Sequence, residues 1–406
     1  MLTAPTRSGA KLAAQCPSCG HPEATDILTI ADAPVMVATV FPDAETARAT
    51  PSGTIHLACC SRCGLLFNTD FDLAKALAGA RYESSQASSA HFSAYSEALA
   101  KEWVERHGLR GKKVIEVGCG QGDFMIALLR AGVGSVHGID PLVRASDFPA
   151  ELASRVSIDA SDFLESHVDT AGAALVCRHT IEHVPDVAGF MRLVAAWSRR
   201  NDAAPVLFEA PAAERIVEDG AFWDLYYEHC NYFTLASLEL AFREAGLRVS
   251  HRALTYGAQY LLIDARYDPA PIGAFVTRAD WQEASARFGA RANDAVIACR
   301  TRMNEYGSTL GGLVIWQGAA KTVGLLTSLG KDVAIEFAVD LNTRRHGYFL
   351  PPLGLQVLPP EALASVSPAH IVLMNPVYFS EVRKQLDGLG RQSTVLHTID
   401  SVIAKL

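Results

Sequence analysis

Short apolar runs separated by amphipathic stretches recur along this chain in the rhythm of strand, helix, strand, and they do so in two series. The first opens on Val114-Ile115-Glu116-Val117, breaks at Gly118-Cys119-Gly120-Gln121-Gly122 and resumes as a helical pattern at Asp123-Phe124. Val136-His137-Gly138-Ile139 is the next strand and closes on Asp140. Val156-Ser157-Ile158 makes a third, Ala174-Leu175-Val176-Cys177 a fourth and Val206-Leu207-Phe208-Glu209-Ala210-Pro211 a fifth. A long amphipathic helix is predicted over 89–107, and another over 235–245, capped by Thr234 and ended by Gly246. Residues 279–306 form a helical pattern of alanines and charges suited to bridging two domains. The second series follows, with strands at Leu313-Val314-Ile315-Trp316, 335–340, 371–375 and 394–396. Strands alternating with helices predict a doubly wound α/β sheet in each series.

Ahead of the first series the pattern changes. Residues 1–14 read as a frayed leader without a core of their own. They are followed by Cys16-Pro17-Ser18-Cys19-Gly20 and later by Cys60-Ser61-Arg62-Cys63-Gly64. Two C-x-x-C-G knuckles fit a four-cysteine zinc site, because each short loop turns two thiolates toward one ion and the glycine permits the tight turn. Cys59 is then the spare thiol. Four thiolates leave no open position for water, so the metal would be structural and would fold a segment too small to hold itself together. A nucleic-acid-binding ribbon would need basic and aromatic surface between the knuckles, and a redox pair would sit in a βαβ pattern; neither is found. A short strand at 65–67, a helix over 71–80 and a polar linker over 81–89 complete this part. The division predicted is 12–80, 81–265 and 266–406.

Composition narrows the classes further. With 406 residues, 49% of them apolar, the chain can build two or three separate cores. A net charge of −8 with dispersed basic residues offers no footprint for nucleic acid. There is no charged-then-apolar leader and no apolar run of membrane-spanning length. A soluble cytoplasmic protein is expected, a monomer with a small-molecule substrate and no membrane partner. In that compartment nine cysteines are thiols or metal ligands rather than disulfides.

Candidate chemistry gathers at the ends of the predicted strands, where ligands bind in open α/β sheets. Glycines at 118, 120 and 122 let the backbone approach a ligand, and Asp140 is placed to accept both hydroxyls of a ribose, so an adenosine-type cofactor is expected. Glu116 and Asp123 put negative charge where the phosphates of a dinucleotide would lie, which suits a cationic cofactor better. Asp162-Phe163 fall where an acid and an apolar lid would meet the adenine. The fourth strand runs into Arg178-His179-Thr180-Ile181-Glu182-His183-Val184-Pro185-Asp186. Beyond the fifth lies Phe222-Trp223-Asp224-Leu225-Tyr226-Tyr227-Glu228-His229-Cys230-Asn231-Tyr232-Phe233. There the adjacent Glu228 and His229 suit a general base with a carboxylate to fix its tautomer, and an ordinary buried pair reads the same way. Tyr82 reads from spacing as a packed linker aromatic, with an active-site phenol as the alternative. Lys321 in the turn of the second series suits an anionic substrate, or is a solvated residue at a helix start.

The glycine-rich run resembles motif I of class I S-adenosylmethionine (SAM) methyltransferases, with Asp140 at the ribose position of motif II. Taken in order from Cys16 to the C-terminus, the chain resembles the sugar C-methyltransferases of deoxysugar biosynthesis. These join a zinc-binding N-terminal domain, a class I SAM-methyltransferase (Rossmann-like) core and a second Rossmann-like α/β domain at the C-terminus. The specific matches are the two knuckles, Tyr227-Glu228-His229-Cys230-Asn231-Tyr232-Phe233 against the family's Y-x-E-H-x-x-Y-F loop, and the turn 316–321 with Val339-Asp340. The resemblance implies SAM and Zn2+ as cofactors, the zinc on Cys16, Cys19, Cys60 and Cys63. It implies deprotonation and methylation of a carbon beside the ketone of a nucleotide-linked 4-keto-6-deoxysugar. His229 is then the base and Glu228 its neighbour, with Tyr82 and His183 also in the active site. Tyr82, His183 or His179 would donate to the enolate oxygen. Glu116, Gly118, Gly120, Asp140, Asp162 and Phe163 would hold SAM. Gln317 and Ala319 stand where the family's W-G-A-G-x-K turn has glycines, and Pro34-Val35-Met36-Val37-Ala38 matches its P-L-A-N run only loosely. An O-methyltransferase using His229 on a hydroxyl, and a zinc-dependent scaffold without activity, are the alternatives.

Overall fold

The computed structural model describes residues 2–3, 9–76, 85–144, 148–269 and 280–403, and its strands form three sheets. The first is antiparallel. β1 (Leu2–Thr3) and β2 (Lys11–Ala13) lie along one edge of the long β3 (Glu23–Pro34), whose other edge pairs with β4 (Ser52–Cys60), and β4 in turn pairs with β5 (Leu66–Asn68). The leader expected to fray is therefore paired where it is described, and Leu2 is buried. At 12 residues β3 is long enough to satisfy both short strands on the same edge.

The second sheet is built from β6 (Lys113–Val117), β7 (Ser135–Ile139), β8 (Val156–Asp159), β9 (Ala174–Arg178) and β10 (Val206–Pro211), all as expected. The next strand, β11 (Asn231–Tyr232), leaves it and pairs with β5 of the first sheet. β12 (Leu247–Thr255) and β13 (Tyr260–Tyr267) then form a hairpin that the sequence reading did not anticipate. The order is β12-β13-β10-β9-β6-β7-β8, parallel except where β13 pairs. The chain winds outward from β6 to β8 and only then returns to β9. The order thus reverses between β6 and β9, and the crevice beyond their carboxyl ends is where an open sheet of this kind takes a ligand.

The third sheet contains β14 (Leu313–Trp316), β15 (Ala338–Val339), β16 (Phe349–Leu350), β17 (Leu355–Leu358), β18 (His370–Leu373) and β19 (Val395–Thr398). Its order is β16-β17-β15-β14-β18-β19, parallel apart from β16. The strand expected over 335–340 shrinks to two residues. Glu336 N–H still reaches Leu313 O at 3.0 Å, but the chain turns at Asp340, whose carboxylate takes Asn342 N–H at 2.8 Å.

The helix Trp281–Gly307 does bridge. Its Gly289 rests on β3 so closely that a Cβ would sit 2.1 Å from Ile27 O, and Trp281 Nε1 donates to Gly64 O at 2.8 Å. Phe288, Ala292 and Val296 of this helix share one core with Ile30 and Leu57 of the first sheet and Ile315 of the third. Cys16, Cys60 and Cys63 share another with Ile115 and Phe208 of the second and with Phe190 of the helix Val187–Arg200. These two cores therefore each reach across two sheets and do not follow the predicted domain boundaries. Among the described residues no helix is long and apolar enough to cross a membrane.

Candidate active site

At the end of β6 the chain enters the turn with Gly118, Gly120 and Gly122 at φ 70°, 51° and 81°, left-handed values that exclude other residues at low cost. A Cβ on Gly118 would lie 1.9 Å from Thr180 Oγ1, and one on Gly122 2.3 Å from the Phe148 ring. Asp140 accepts the N–H groups of Gly120 at 2.8 Å and Leu142 at 2.7 Å, and each oxygen keeps a lone pair for a ribose hydroxyl. Glu116 is buried with one carboxyl oxygen unpartnered. Burial pushes its pKa up to about 8 against the attraction of Arg178, and Asp123 and Asp140 push the same way. Such a concentration of acid around an orphaned carboxyl fits a cationic cofactor and not a dinucleotide. Phe163 is buried and stacks on His167 at 5.8 Å, while Asp162 beside it is exposed.

Beyond β9 the short 3-10 turn Ile181–His183 faces the segment that leads into β11. The rings of His183 and His229 meet edge to face at 4.7 Å, and Tyr226 packs against His229 at 4.9 Å. A carboxyl oxygen of Glu182 and a ring nitrogen each of His183 and His229 lie within 4.8 Å of one another. Glu228 does not orient His229 as expected. Its carboxylate instead accepts Val37 N–H at 2.8 Å, in the 34–38 run that the resemblance matched only loosely. His183 Nδ1 sits 3.0 Å from the carbonyl oxygen of Glu228, which makes that nitrogen the donor and leaves Nε2 as an acceptor. Neutral His183 therefore cannot donate to an enolate. His179, at φ 50°, has Nε2 2.9 Å from a carboxyl oxygen of Glu209, whereas its Nδ1, 3.8 Å from Glu182, is beyond hydrogen-bond reach. Tyr82 lies outside the described residues.

Burial holds His183 down at about 4, with the charge of His179 adding to it. Burial likewise holds His229 well below its usual value, helped by His183, His179 and Lys321. The same desolvation lifts Glu182 to about 8 and Glu228 to about 7. At neutral pH both imidazoles are neutral and able to accept a proton.

The four knuckle cysteines do converge. Cys16 and Cys63 sulfurs are 3.6 Å apart, as are those of Cys19 and Cys60, and all four lie within 4.8 Å of one another. Tetrahedral thiolates at the usual Zn–S length of about 2.3 Å would stand roughly 3.8 Å apart, so the set fits zinc. Gly20 at φ 69° and Gly64 at φ 76° close the knuckles, each donating its N–H to the first cysteine's carbonyl at 3.0 Å. Cys59 points to the other face of β4, into the core with the bridging helix.

A family model described as a methyltransferase domain matches residues 91–252, and one described as a C-methyltransferase C-terminal domain matches residues 281–397. A C-methyltransferase of Streptomyces niveus, NovU, is 25% identical over 394 residues, covering 91% of each chain. The chain thus carries a methyltransferase domain followed by a C-methyltransferase C-terminal domain. It is a SAM-dependent methyltransferase with a class I fold in its central sheet. A ubiquinone biosynthesis O-methyltransferase of Ralstonia nicotianae is 32% identical over 105 residues, 24% of this chain and 43% of that protein. Among solved structures, a putative O-methyltransferase of Nostoc punctiforme aligns at 19% identity with a TM-score of 0.36, over 43% of this chain and 56% of that one.

In this methyltransferase several site residues carried no sequence signal. Glu209 at the end of β10 is buried against Arg178 at 2.7 Å and takes the phenol of Tyr95. Burial alone would raise its pKa, but the Arg178 charge and the His179 hydrogen bond bring it down to about 2. Tyr256 stacks on Tyr260 at 5.0 Å and its hydroxyl meets that of Tyr378 at 2.7 Å, while Gln259 and Asn375 exchange amide hydrogen bonds at 2.9 and 3.0 Å. These contacts close the second sheet on the third, and only the β12–β13 hairpin brings them together. Lys321, expected to face solvent or an anionic substrate, does neither: its ammonium is paired with both oxygens of Asp224.

Proposed function

We propose that this methyltransferase removes a proton from a carbon beside the ketone of a nucleotide-linked 4-keto-6-deoxysugar of the dTDP type and methylates that carbon. The observation that carries the reading is the neutral His229 imidazole, walled by the His183 and Tyr226 rings and reached from the turn after β9. A C–H next to a carbonyl is acidic enough for such a base only if the base is held in place and the enolate oxygen receives a donor. With His183 an acceptor and His179 committed to Glu209, the phenol of Tyr82 is the group we assign to that oxygen. SAM, held by Glu116, the glycine turn and Asp140, supplies an electrophilic methyl group. The full-length likeness to the Streptomyces C-methyltransferase supports carbon rather than oxygen as the acceptor. Zinc on Cys16, Cys19, Cys60 and Cys63 has a structural role in this reading, its four positions all taken by thiolates. Nine cysteines with no disulfide among them suit a reducing, cytoplasmic setting.

The test is exchange of the substrate C–H for deuterium without SAM, using dTDP-4-keto-6-deoxyglucose as first probe, followed by methyl transfer with SAM. His229→Ala is expected to keep SAM affinity and to slow both by roughly 10² or more. Methyl transfer at an undiminished rate would remove His229 from the role of base, and transfer to a hydroxyl without C–H exchange would make the protein an O-methyltransferase.

A further inference from the structure

The segment that carries His229 is held from two sides, and one of them is the third sheet. The helix Ala320–Leu329, which follows β14, packs so closely on this segment that a Cβ on Gly324 would lie 2.2 Å from Trp223 O and 2.9 Å from the Tyr226 ring. From the first turn of that helix Lys321 Nζ reaches Asp224 Oδ1 at 2.5 Å and Oδ2 at 2.7 Å, and the two side chains are only 16% and 14% exposed. Tyr226 donates its hydroxyl to the same Asp224 oxygen at 2.8 Å. The backbone of Tyr226 is pinned in turn by Tyr232, whose hydroxyl accepts Tyr226 N–H and donates to Tyr226 O, both at 2.8 Å.

We propose that Lys321 is a positioning residue for the base, acting through the Asp224 carboxylate and the Tyr226 ring to fix where His229 points. The proposal rests on His229 being the base. It gives the C-terminal sheet a task at the reacting centre in place of binding an anionic substrate with this lysine. The ammonium carries an electrostatic role as well, since it is one of the charges that disfavour the His229 imidazolium. The other groups facing His229 are the imidazoles of His183 and His179, the carboxyl of Glu182, and the phenols of Tyr226 and Tyr232. Around Lys321 itself stand Asp224, Arg215 and Asp400.

Two measurements test this on the full zinc-loaded chain. Histidine-labelled wild-type protein and the K321M, K321R and D224N variants are titrated by NMR, with H229Q assigning the His229 ring. Deuterium exchange into dTDP-4-keto-6-deoxyglucose is followed in parallel. K321M is expected to raise the His229 midpoint by roughly one pH unit, because a cation is lost and an anion is left unpaired. It is also expected to slow exchange at least about tenfold through misplacement of the base, with SAM affinity and zinc content kept. K321R should restore both readouts. D224N, which leaves the cation and loosens its grip, should slow exchange without raising the midpoint, and it serves as the readout should K321M fail to fold. An unmoved His229 midpoint in K321M, or wild-type exchange in D224N, overturns the proposal. A shifted midpoint alongside wild-type exchange in H229Q would leave the positioning in place and remove the base.

Discussion

Inside the crevice, charge has been rearranged residue by residue. Glu116 and Glu182 near 8 and Glu228 near 7 hold their protons where surface acids do not, and His183 near 4 is neutral where surface histidines begin to charge. Asp140 shows how one residue serves two needs, since it ties Gly120 and Leu142 together and retains lone pairs for a ribose. Asp140→Ala should weaken SAM binding by about 1.5–3 kcal/mol, roughly ten- to a hundredfold by calorimetry; unaltered affinity would place the cofactor elsewhere. Gln317 occupies a glycine-like φ of 108° and buries an unpartnered amide oxygen. Gln317→Gly should therefore raise stability by about 1 kcal/mol in denaturant unfolding, and a loss of stability would mean that the side chain is satisfied. These residues were visible as types in the sequence, and His229 and Asp140 stood out as candidates by their motifs. Which hydrogen bond each would make was not visible. Glu228 beside His229 turns to Val37, and that choice is made by a backbone N–H contributed by a remote loop.

At the scale of elements, the informative object is the segment 222–233. Its β11 end is a strand of the first sheet, with Asn231 opposite Phe67 and Tyr232 opposite Leu66, and Asn68 N–H donates to Cys230 O at 2.9 Å. β5 is held by β4, and β4 ends in Cys60 of the four-cysteine cluster. The knuckles are thus linked through two strands to the segment that carries His229. Cys16→Ser should lower zinc content below one per chain, destabilise the first sheet and reduce methyl transfer, while SAM binding on the second sheet persists. A variant with full activity and no zinc would contradict the linkage. The two knuckles were legible because C-x-x-C-G spacing is a local property. β11 was not, because a two-residue strand has no periodicity and exists only where β5 offers it a partner. The β12–β13 hairpin was missed for a different reason: β12 alternates in burial with a period of two, a signal easily lost at the end of a long α/β pattern.

For the whole molecule, the buried carboxyls of Glu116, Glu182 and Glu228 set the response to pH. Each has a folded pKa raised above its usual 4.5, so the stability it contributes is complete below 4.5 and is lost as pH rises through 7 to 8. His183 and His229 act in the opposite sense and only below 6.5, their usual value. Ligand-free protein should therefore melt at a lower temperature at pH 8.0 than at pH 6.5, and SAM should lessen the fall by placing a cation near Glu116. A melting temperature that rises over this interval would show that these carboxyls are ionised in the folded chain.

By itself the sequence determined what is written in short range: the parallel strands of the second sheet and four strands of the third, the glycine turn with Asp140 behind it, the knuckles, and the His-bearing segment, since each depends on the period or spacing of near neighbours. Only the tertiary structure decided that the leader pairs with β3, that the first and third sheets share a core, that Glu209 is met by Arg178 and Tyr95, and that Lys321 closes on Asp224. Those partners are far apart along the chain. A lone buried charge costs several kcal/mol, and which distant group relieves it is fixed only when the sheets dock.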